Sequence, residues 1–251
     1  MTLETFFKEH FRTALAFSGG VDSAYLLWAG IQAGAEVRPY FVKTPFQPQF
    51  ELEDARRLCT QLGVELTVIE CDILSSGTVS ANPPDRCYHC KRFLFSLLKE
   101  RTAADGFSLL LDGTNASDDG GDRPGMRALQ ELEVRSPLQE CGLTKDRIRA
   151  LSKAAGLFTW DKPSYACLAT RVPAGRAITR TDLEKVERGE AALSRLGFAD
   201  FRLRLTPGGA KLQVLEGQLP LALERRGDIL SALTLDFPEI TLDLNPRVPI
   251  D

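Results

Sequence analysis

Short apolar runs alternate with amphipathic stretches through the first third of the chain. Three of these runs have the length and composition of buried strands: residues 13–17, 36–42 and 64–69. An apolar stretch from Ala24 to Trp28 follows the first run and indicates the start of a helix. Apolar and alanine positions recur at helical spacing from Phe50 to Leu62, and Gly63 then ends the pattern. This β-α-β-α-β rhythm predicts an α/β fold with a doubly wound parallel sheet, right-handed crossovers and helices on both faces.

The middle of the chain continues this pattern less regularly. Helices are predicted from Cys87 to about Arg101 and from Thr144 to Ala155, and a fourth strand is predicted at residues 108–111. Residues 133–138 predict a weak fifth strand. Residues 119–125 show no periodicity, and their Gly, Asp and Pro content indicates an active-site loop rather than a helix or strand.

A second arrangement begins near Gly175. Its predicted elements form an α-β-β-α-β unit: a helix at 181–196, strands at 201–205 and 210–215, a helix at 219–231 and a strand at 240–244. We therefore predict two domains. Residues 1–172 form the parallel-sheet domain, and residues 173–251 form a smaller α+β domain.

Composition narrows the class of protein. The chain has 251 residues, 43% of them hydrophobic and 26% charged, which is ordinary for a globular protein. The formal net charge of −3 argues against a general nucleic-acid surface. No apolar run approaches membrane-spanning length, and the N-terminus lacks a secretory pattern, so we expect a cytoplasmic location. In that compartment the six cysteines are more typical of buried, metal-bound or catalytic residues than of disulfides.

The turn after the first predicted strand carries the clearest chemical signal. Residues 18–23, Ser-Gly-Gly-Val-Asp-Ser, lead from that strand into a helix, so backbone N–H groups and the helix dipole favour a phosphate there. Gly19 and Gly20 allow close approach of an oxyanion, and the hydroxyls of Ser18 and Ser23 can donate hydrogen bonds. Asp22 can hold a Mg²⁺ between phosphates. The simpler alternative is a tight glycine turn before a helix capped by Ser18.

The order of residues in this turn resembles the PP-loop of the ATP pyrophosphatases. That resemblance implies ATP as a ligand, cleavage between its α- and β-phosphates, and adenylation of a substrate oxygen. The lysine of the G-x-x-x-x-G-K-[ST] motif is missing, which disfavours transfer of the γ-phosphate. Polar residues also follow the fourth predicted strand, and in a doubly wound sheet they would line the same crevice. These residues are Thr114, Asn115 and Asp118, although the same stretch is also a good turn or helix cap.

Cysteines supply a second group of candidates. Cys87 and Cys90 form a C-x-x-C at the start of a predicted helix, where the thiol pKa is lowered. A redox dithiol, half of a metal site and two structural cysteines all remain open, and a metal would need a further ligand from elsewhere. His89 is expected to face solvent. Cys167 lies between Lys162 and Arg171, whose charges favour a thiolate, but a buried inert cysteine is an equal alternative.

Two arginines on one predicted strand could bind an anion. Arg202 and Arg204 are separated by one residue, so they share a strand face and could clamp a negatively charged group. Two solvated arginines would give the same pattern.

Taken together, these residues resemble those of the LarE-type sulfur transferases of the PP-loop group, along nearly the whole chain. The matching motifs are Ser18–Ser23, Asp112–Asn115 with Asp118, Arg123-Pro124-Gly125, Ser136-Pro137-Leu138, Trp160 with Lys162-Pro163, Ala166–Arg171 and Arg202–Arg204. Gln213 and the tail at 242–247 follow the family only loosely.

The resemblance implies a reaction and roles for the matching residues. ATP and Mg²⁺ adenylate a carboxylate of a pyridinium dicarboxylate mononucleotide, and sulfur then replaces AMP. The larger domain would bind ATP and the smaller one the substrate and other subunits, since the family assembles into homo-oligomers. Cys167 would deliver sulfur and Glu190 would be an acidic site residue. The substrate would be bound by four arginines: Arg123, Arg171, Arg202 and Arg204.

The resemblance leaves two sources of sulfur. Some members sacrifice the sulfur of one cysteine, whereas others hold a [4Fe-4S] cluster on three cysteines and leave one iron open. Cys87, Cys90 and Cys167 match the second kind, and we favour the cluster. The rival functions are a tRNA thiolase, which the acidic composition disfavours, a non-catalytic nucleotide sensor and an ammonia-using synthetase. The sulfur donor is not indicated.

Overall fold

A computed structural model of the protein describes residues 1–118 and 124–248. The chain divides into two compact units, the first made of residues 1–73 and 85–162, the second of residues 74–84 and the chain from Pro163 onward. The second unit therefore begins ten residues before the predicted boundary and includes an earlier segment. The assignment of a nucleotide-binding and a substrate domain stays a prediction.

The first unit contains a parallel sheet with helices on both faces, as predicted. In chain order its elements are α1 (Leu3–Glu9), β1 (Arg12–Ala16), α2 (Val21–Gln32), β2 (Glu36–Lys43), α3 (Gln49–Leu62) and β3 (Thr67–Glu70). The second unit contributes α4 (Gly77–Ser80), and the first then continues with α5 (Arg86–Ala104), β4 (Leu110–Leu111), α6 (Pro124–Glu131), α7 (Pro137–Glu140) and α8 (Lys145–Ala154). The strands lie in the order β3-β2-β1-β4, and every pair is parallel.

Side-chain alternation along the strands explains the two covered faces. Leu15 and Phe41 lie in a buried cluster with side chains of α1, α2, α3 and α8. Their neighbours Ala14 and Tyr40 lie in a second cluster with side chains of α5 and α6. Because both faces are buried, the strands read as continuous apolar runs, which is why the sequence predicts a doubly wound sheet.

The helix ends of the first unit follow local sequence signals. The helix α3 ends at Gly63, which has a left-handed backbone with φ of 69°. Thr144 is the N-cap of α8, and its hydroxyl accepts a hydrogen bond from the N–H of Arg147 at 3.4 Å. Both ends were predicted. The helices α1 and α6 were not, and of the predicted loop at 119–125, residues 119–123 lie outside the described residues.

The predicted fifth strand at residues 133–138 shrinks to a single parallel bridge between Leu111 and Arg135. Pro137 begins α7 two residues later. A proline lacks the N–H that a strand ladder requires, and its fixed φ suits the first turn of a helix. The fourth strand is likewise shorter than predicted.

The second unit is the predicted α+β arrangement. It contains α9 (Arg180–Arg195), β5 (Arg202–Leu205), β6 (Gly209–Gln213), α10 (Leu219–Glu224), α11 (Arg226–Leu233) and β7 (Glu239–Leu242). The strand β5 pairs antiparallel with β6, and β6 pairs parallel with β7. The helix predicted at 219–231 is divided at Arg225 into α10 and α11. A Cβ on Gly189 would lie 2.5 Å from Leu203 Cδ2, so α9 packs directly on β5 at this glycine.

Among the described residues, no helix is long and apolar enough to cross a membrane.

Candidate functional site

The turn between β1 and α2 leaves donors free to meet an anion. Gly20 is the N-cap of α2, and no side chain caps the helix. Ser18 is therefore not the helix cap that the simpler alternative required. Its Oγ accepts a hydrogen bond from the N–H of Gly20 at 3.3 Å and lies 3.1 Å from Ser23 Oγ. Gly19 has a φ of 71°, and a Cβ there would lie 3.2 Å from that of Ala55. The turn thus needs glycine, and the N-terminus of α2 can bind phosphate.

Asp22 lies in the first turn of α2 and joins three parts of the first unit. Its carboxylate accepts hydrogen bonds from Lys145 Nζ at 2.5 Å and Asn115 Nδ2 at 3.3 Å. Burial raises the pKa of Asp22, although Lys145 opposes this effect and Asp118 adds to it. A partly buried carboxylate at a phosphate-binding turn has the oxygen chemistry that suits Mg²⁺.

The segment after β4 lies against this turn. A Cβ on Gly113 would be 3.0 Å from the backbone N of Ser23, so the glycine permits the close approach. The N–H of Asn115 donates to Asp118 Oδ2 at 3.0 Å, which fixes the turn that presents Asn115 to Asp22. Thr114 instead donates to Asp112 at 2.5 Å and is buried, so its side chain supports the segment.

The structure therefore brings the predicted nucleotide-binding residues of the first unit together. Sequence reasoning missed Lys145, which contacts Asp22 from the first residue of α8. A lysine at the start of a helix, the end where a cation is disfavoured, was the signal that could have identified it.

Cys87 and Cys90 lie in the first turns of α5, as predicted. Cys87 is exposed, Cys90 is partly buried, and a helical spacing of three places both thiols on one side of the helix. Arg86 Nη2 lies 3.7 Å from Cys87 Sγ, so the guanidinium group is the near neighbour of this thiol at the start of α5. His89 contacts Asp85 at 3.1 Å.

In the second unit, the segment that carries Cys167 is held by Arg171 and Glu190. The buried Arg171 donates to Glu190 Oε1 at 2.8 Å and Oε2 at 3.1 Å, and to the carbonyl of Ala166 at 2.9 Å. The hydroxyl of Tyr165 donates to Glu190 Oε2 at 2.6 Å, and the backbone N–H of Leu203 donates to Glu190 Oε1 at 2.9 Å. Both carboxylate oxygens of Glu190 are thus engaged, an arrangement that favours positioning over proton transfer.

Arg202 and Arg204 reach the same segment from β5. Arg202 Nη2 donates to the carbonyl of Ser164 at 3.0 Å, and Arg204 Nη1 to the carbonyl of Thr170 at 2.9 Å. Burial, together with repulsion from Arg171 and Arg247, lowers the pKa of Arg202 to about 10. Such repulsion among guanidinium groups is what an incoming anion would relieve. The predicted residues Cys167, Arg171, Glu190, Arg202 and Arg204 therefore meet around one segment.

Three residues that lie near the predicted site residues of the second unit were not themselves predicted as site residues. Arg247 contacts Asp200 at 2.7 Å with only 8% of its side chain exposed, and Gln213 accepts from Arg204 Nε at 2.5 Å. Tyr165, the third, lies with its ring under Arg171 at 4.7 Å. Arg247 and Gln213 belong to the parts of the sequence that follow the family loosely, so no motif marked them.

Two cations that were predicted to act in the site, Lys162 and Arg123, are not found there among the described residues. Lys162 was expected to favour a thiolate at Cys167, but its ammonium contacts Asp54 at 2.6 Å within the first unit. Arg123 lies outside the described residues.

Two further features of the described residues concern ligands. A cleft of about 540 Å³ in the second unit is lined by Arg176, Asp182, Lys185 and neighbouring residues, and by none of the predicted site residues. Across residues 1–118 and 124–248, no group of three or more His, Cys, Asp or Glu side chains is arranged to hold a metal ion. The set of Cys87, Cys90 and Cys167 has two members in the first unit and one in the second, and it stays a prediction.

Comparison with known proteins identifies relatives along almost the entire chain. An uncharacterized protein of Synechocystis sp. is 32% identical over 246 residues, which cover 96% of this chain and 92% of the relative. The pyridinium-3,5-bisthiocarboxylic acid mononucleotide synthase of Lactiplantibacillus plantarum is 30% identical over 246 residues, covering 97% and 89%. The tRNA-specific 2-thiouridylase MnmA of Thermotoga petrophila is 25% identical over 144 residues, only 48% of this chain and 40% of that protein. No protein-family model matches the chain.

The full-length match decides between the two sulfur-transfer families that the sequence allowed. The thiouridylase match covers 48% of the chain, whereas the synthase match covers 97% of it. The parallel sheet and the glycine turn that leaves the start of α2 uncapped agree with the synthase match over 97% of the chain. The chain belongs to the LarE family of ATP-dependent PP-loop sulfur transferases.

Proposed function

We propose that the protein uses ATP to replace a carboxylate oxygen of a pyridinium dicarboxylate mononucleotide with sulfur, in the synthesis of the nickel-pincer nucleotide cofactor. One observation carries the proposal: a single chain combines an uncapped phosphate turn beside Asp22 with a cysteine segment held by arginines. The name of the Lactiplantibacillus plantarum relative, a pyridinium-3,5-bisthiocarboxylic acid mononucleotide synthase, supports the substrate class.

The first half-reaction is adenylation. A carboxylate oxygen of the substrate attacks the α-phosphorus of ATP, the bond to the β-phosphate breaks, and pyrophosphate leaves. The backbone N–H groups at the start of α2 and the hydroxyls of Ser18 and Ser23 stabilise the charge that develops on the phosphates. Mg²⁺ held by Asp22, beside Asn115, would neutralise more of that charge. The product is an acyl adenylate, which has AMP as its leaving group.

The second half-reaction transfers sulfur. A sulfur nucleophile attacks the acyl carbon, the bond from that carbon to the AMP oxygen breaks, and a thiocarboxylate remains. Cys167 occupies the sulfur-delivering position. A [4Fe-4S] cluster on Cys87, Cys90 and Cys167 would supply an iron without a protein ligand, able to carry an extra sulfide. The alternative is that the sulfur of Cys167 attacks the acyl carbon and displaces AMP, a base then removes the Cα proton of Cys167 as its Cβ–S bond breaks, and dehydroalanine remains.

The arginines of the second unit suit an anionic substrate. This group of charged side chains contains four guanidinium groups and two carboxylates: Arg171, Arg202, Arg204 and Arg247, with Glu190 and Asp200. Its excess of positive charge matches the phosphate of a mononucleotide, and planar guanidinium groups bind phosphate with two parallel hydrogen bonds. Arg123 is a further proposed substrate-binding residue, on the resemblance alone.

One experiment tests both the reaction and the sulfur source. The protein is reconstituted anaerobically with iron and sulfide, its absorbance is recorded, and it is incubated with ATP, Mg²⁺ and the dicarboxylate nucleotide. We expect a brown protein that forms AMP, pyrophosphate and a nucleotide in which sulfur has replaced oxygen. Cys87→Ala should lose the colour, because a cluster needs all three thiolates, whereas Cys71→Ala should keep it.

Different results would separate the alternatives. Sulfur transfer by colourless Cys87→Ala, together with a loss of mass at Cys167 equal to H₂S, would establish the sacrificial route. Product on tRNA but none on the mononucleotide would favour the thiolase, and ATP binding without turnover would favour a nucleotide sensor.

The setting of this activity is also proposed. We infer a cytoplasmic homo-oligomer without a nucleic-acid partner, on the basis of the acidic composition and the family resemblance. The sulfur donor is left unassigned.

A further inference from the structure

Lys145 makes a contact that the proposed chemistry does not yet use. Its Nζ lies 2.5 Å from Asp22 Oδ2, and the side chains of Lys145 and Asp22 are only 13% and 20% exposed. Within the described part of the chain, this carboxylate is the one polar partner of the ammonium. The ammonium therefore occupies the carboxylate that Mg²⁺ would bind.

The position of Lys145 is unfavourable for helix stability. It is the first residue of α8, where the positive end of the helix dipole repels a cation. The N–H of the same residue donates to Ser117 Oγ at 2.9 Å, which fixes its backbone beside the phosphate turn. The ammonium therefore lies against Asp22 in the first turn of α2, the helix whose N-terminus can bind phosphate.

Another nearby cation, Arg149, cannot move as easily. Its guanidinium donates to the carbonyls of Trp160 at 2.8 Å and Lys162 at 3.1 Å. Lys145, by contrast, carries its charge on a flexible four-carbon stem with three donors. Of these two cations, Lys145 is the one that can exchange a carboxylate for a phosphate.

We propose that Lys145 is a mobile phosphate-binding residue: it neutralises Asp22 in the free protein and moves to the β- and γ-phosphates when Mg²⁺ binds Asp22. In that position it stabilises the charge on departing pyrophosphate. The phosphate turn contains no lysine of its own, so Lys145 of α8 supplies this positive charge. This inference rests on the proposed function only in taking ATP as the ligand. The competing possibility is that Lys145 acts solely by holding Asp22.

Binding measurements test the proposal without turnover. Lys145→Ala should weaken binding of ATP and of inorganic pyrophosphate by about ten- to a hundredfold, since it removes charge-assisted hydrogen bonds. Affinity for AMP, which lacks the β- and γ-phosphates, should change less than about threefold. Lys153→Ala, at the other end of α8, is the matched control and should bind all three ligands like the wild type. If Lys145→Ala does not fold, Lys145→Gln keeps the length of the side chain and removes only the charge.

A double-mutant cycle separates a direct contact from a role through Asp22. In the Asp22→Asn background without Mg²⁺, adding the Lys145 substitution should still weaken pyrophosphate binding. No further loss there, or an equal loss for AMP and ATP, would overturn the proposal. If the wild type binds neither ATP nor pyrophosphate, the proposed function itself fails; normal binding by the variants would remove only the role of Lys145.

Discussion

Replacing Cys167 with alanine is expected to stop sulfur transfer while leaving the first half-reaction in place. Formation of the sulfur-containing nucleotide should fall by at least about a thousandfold, because the group that delivers sulfur is removed. Pyrophosphate should still appear in a single turnover, since Asp22 and the turn at residues 18–23 belong to the first unit. Rapid-quench measurement of pyrophosphate beside mass analysis of the nucleotide reports both steps at once.

A second cysteine gives the control for this substitution. Cys71 is partly buried like Cys167, burial raises the pKa of the Cys71 thiol, and the proposed reaction gives it no role. Cys71→Ala should therefore keep both steps. Thiolation by Cys167→Ala at the wild-type rate would show that Cys167 neither delivers sulfur nor holds a group that does.

Substituting Glu190 should have the largest effect on stability. Glu190→Gln leaves the fully buried Arg171 without its counter-charge, and breaking one side of a buried ion pair costs about 3–5 kcal/mol. It also weakens the hydrogen bonds from Tyr165 and from the N–H of Leu203. The free energy of unfolding from urea titration measures the loss.

An exposed acid on the same helix provides the comparison. Glu184→Gln on α9 should change the free energy of unfolding by less than about 0.5 kcal/mol. If Glu190 positions the segment of Cys167, folded Glu190→Gln should bind ATP normally and transfer sulfur slowly. A loss below about 1 kcal/mol would mean that the pair with Arg171 does not hold the second unit together.

The parallel sheet could be predicted because its evidence is local in the sequence. Leu15 and Phe41 face one helical layer and Ala14 and Tyr40 the other, so the strands had to read as continuous apolar runs. The glycine turn could also be predicted, since Gly19 has the left-handed backbone that glycine adopts readily. Boundaries were less predictable. The start of α7 at Pro137 ended a stretch whose composition alone suggested a strand.

The partners within the site could not be predicted in the same way. The residues that Lys145 and Arg247 contact, Asp22 and Asp200, are far from them along the chain. Pairings of this kind depend on tertiary contacts that spacing does not encode. Glu190 could be placed in the site by resemblance, yet only the structure shows that four donors engage its carboxylate. That engagement favours a positioning role for Glu190, which the resemblance gives only as an acidic site residue.

In the proposed reaction, ATP activates a substrate carboxylate as an acyl adenylate before sulfur arrives. The most direct measurement uses mononucleotide with isotopically labelled carboxylate oxygens and follows the label by mass spectrometry of the nucleotide released from ATP. We predict AMP that carries one labelled oxygen, because the bridging oxygen leaves with phosphorus when sulfur attacks the acyl carbon. Release of ADP, or of AMP without the label, would contradict the account.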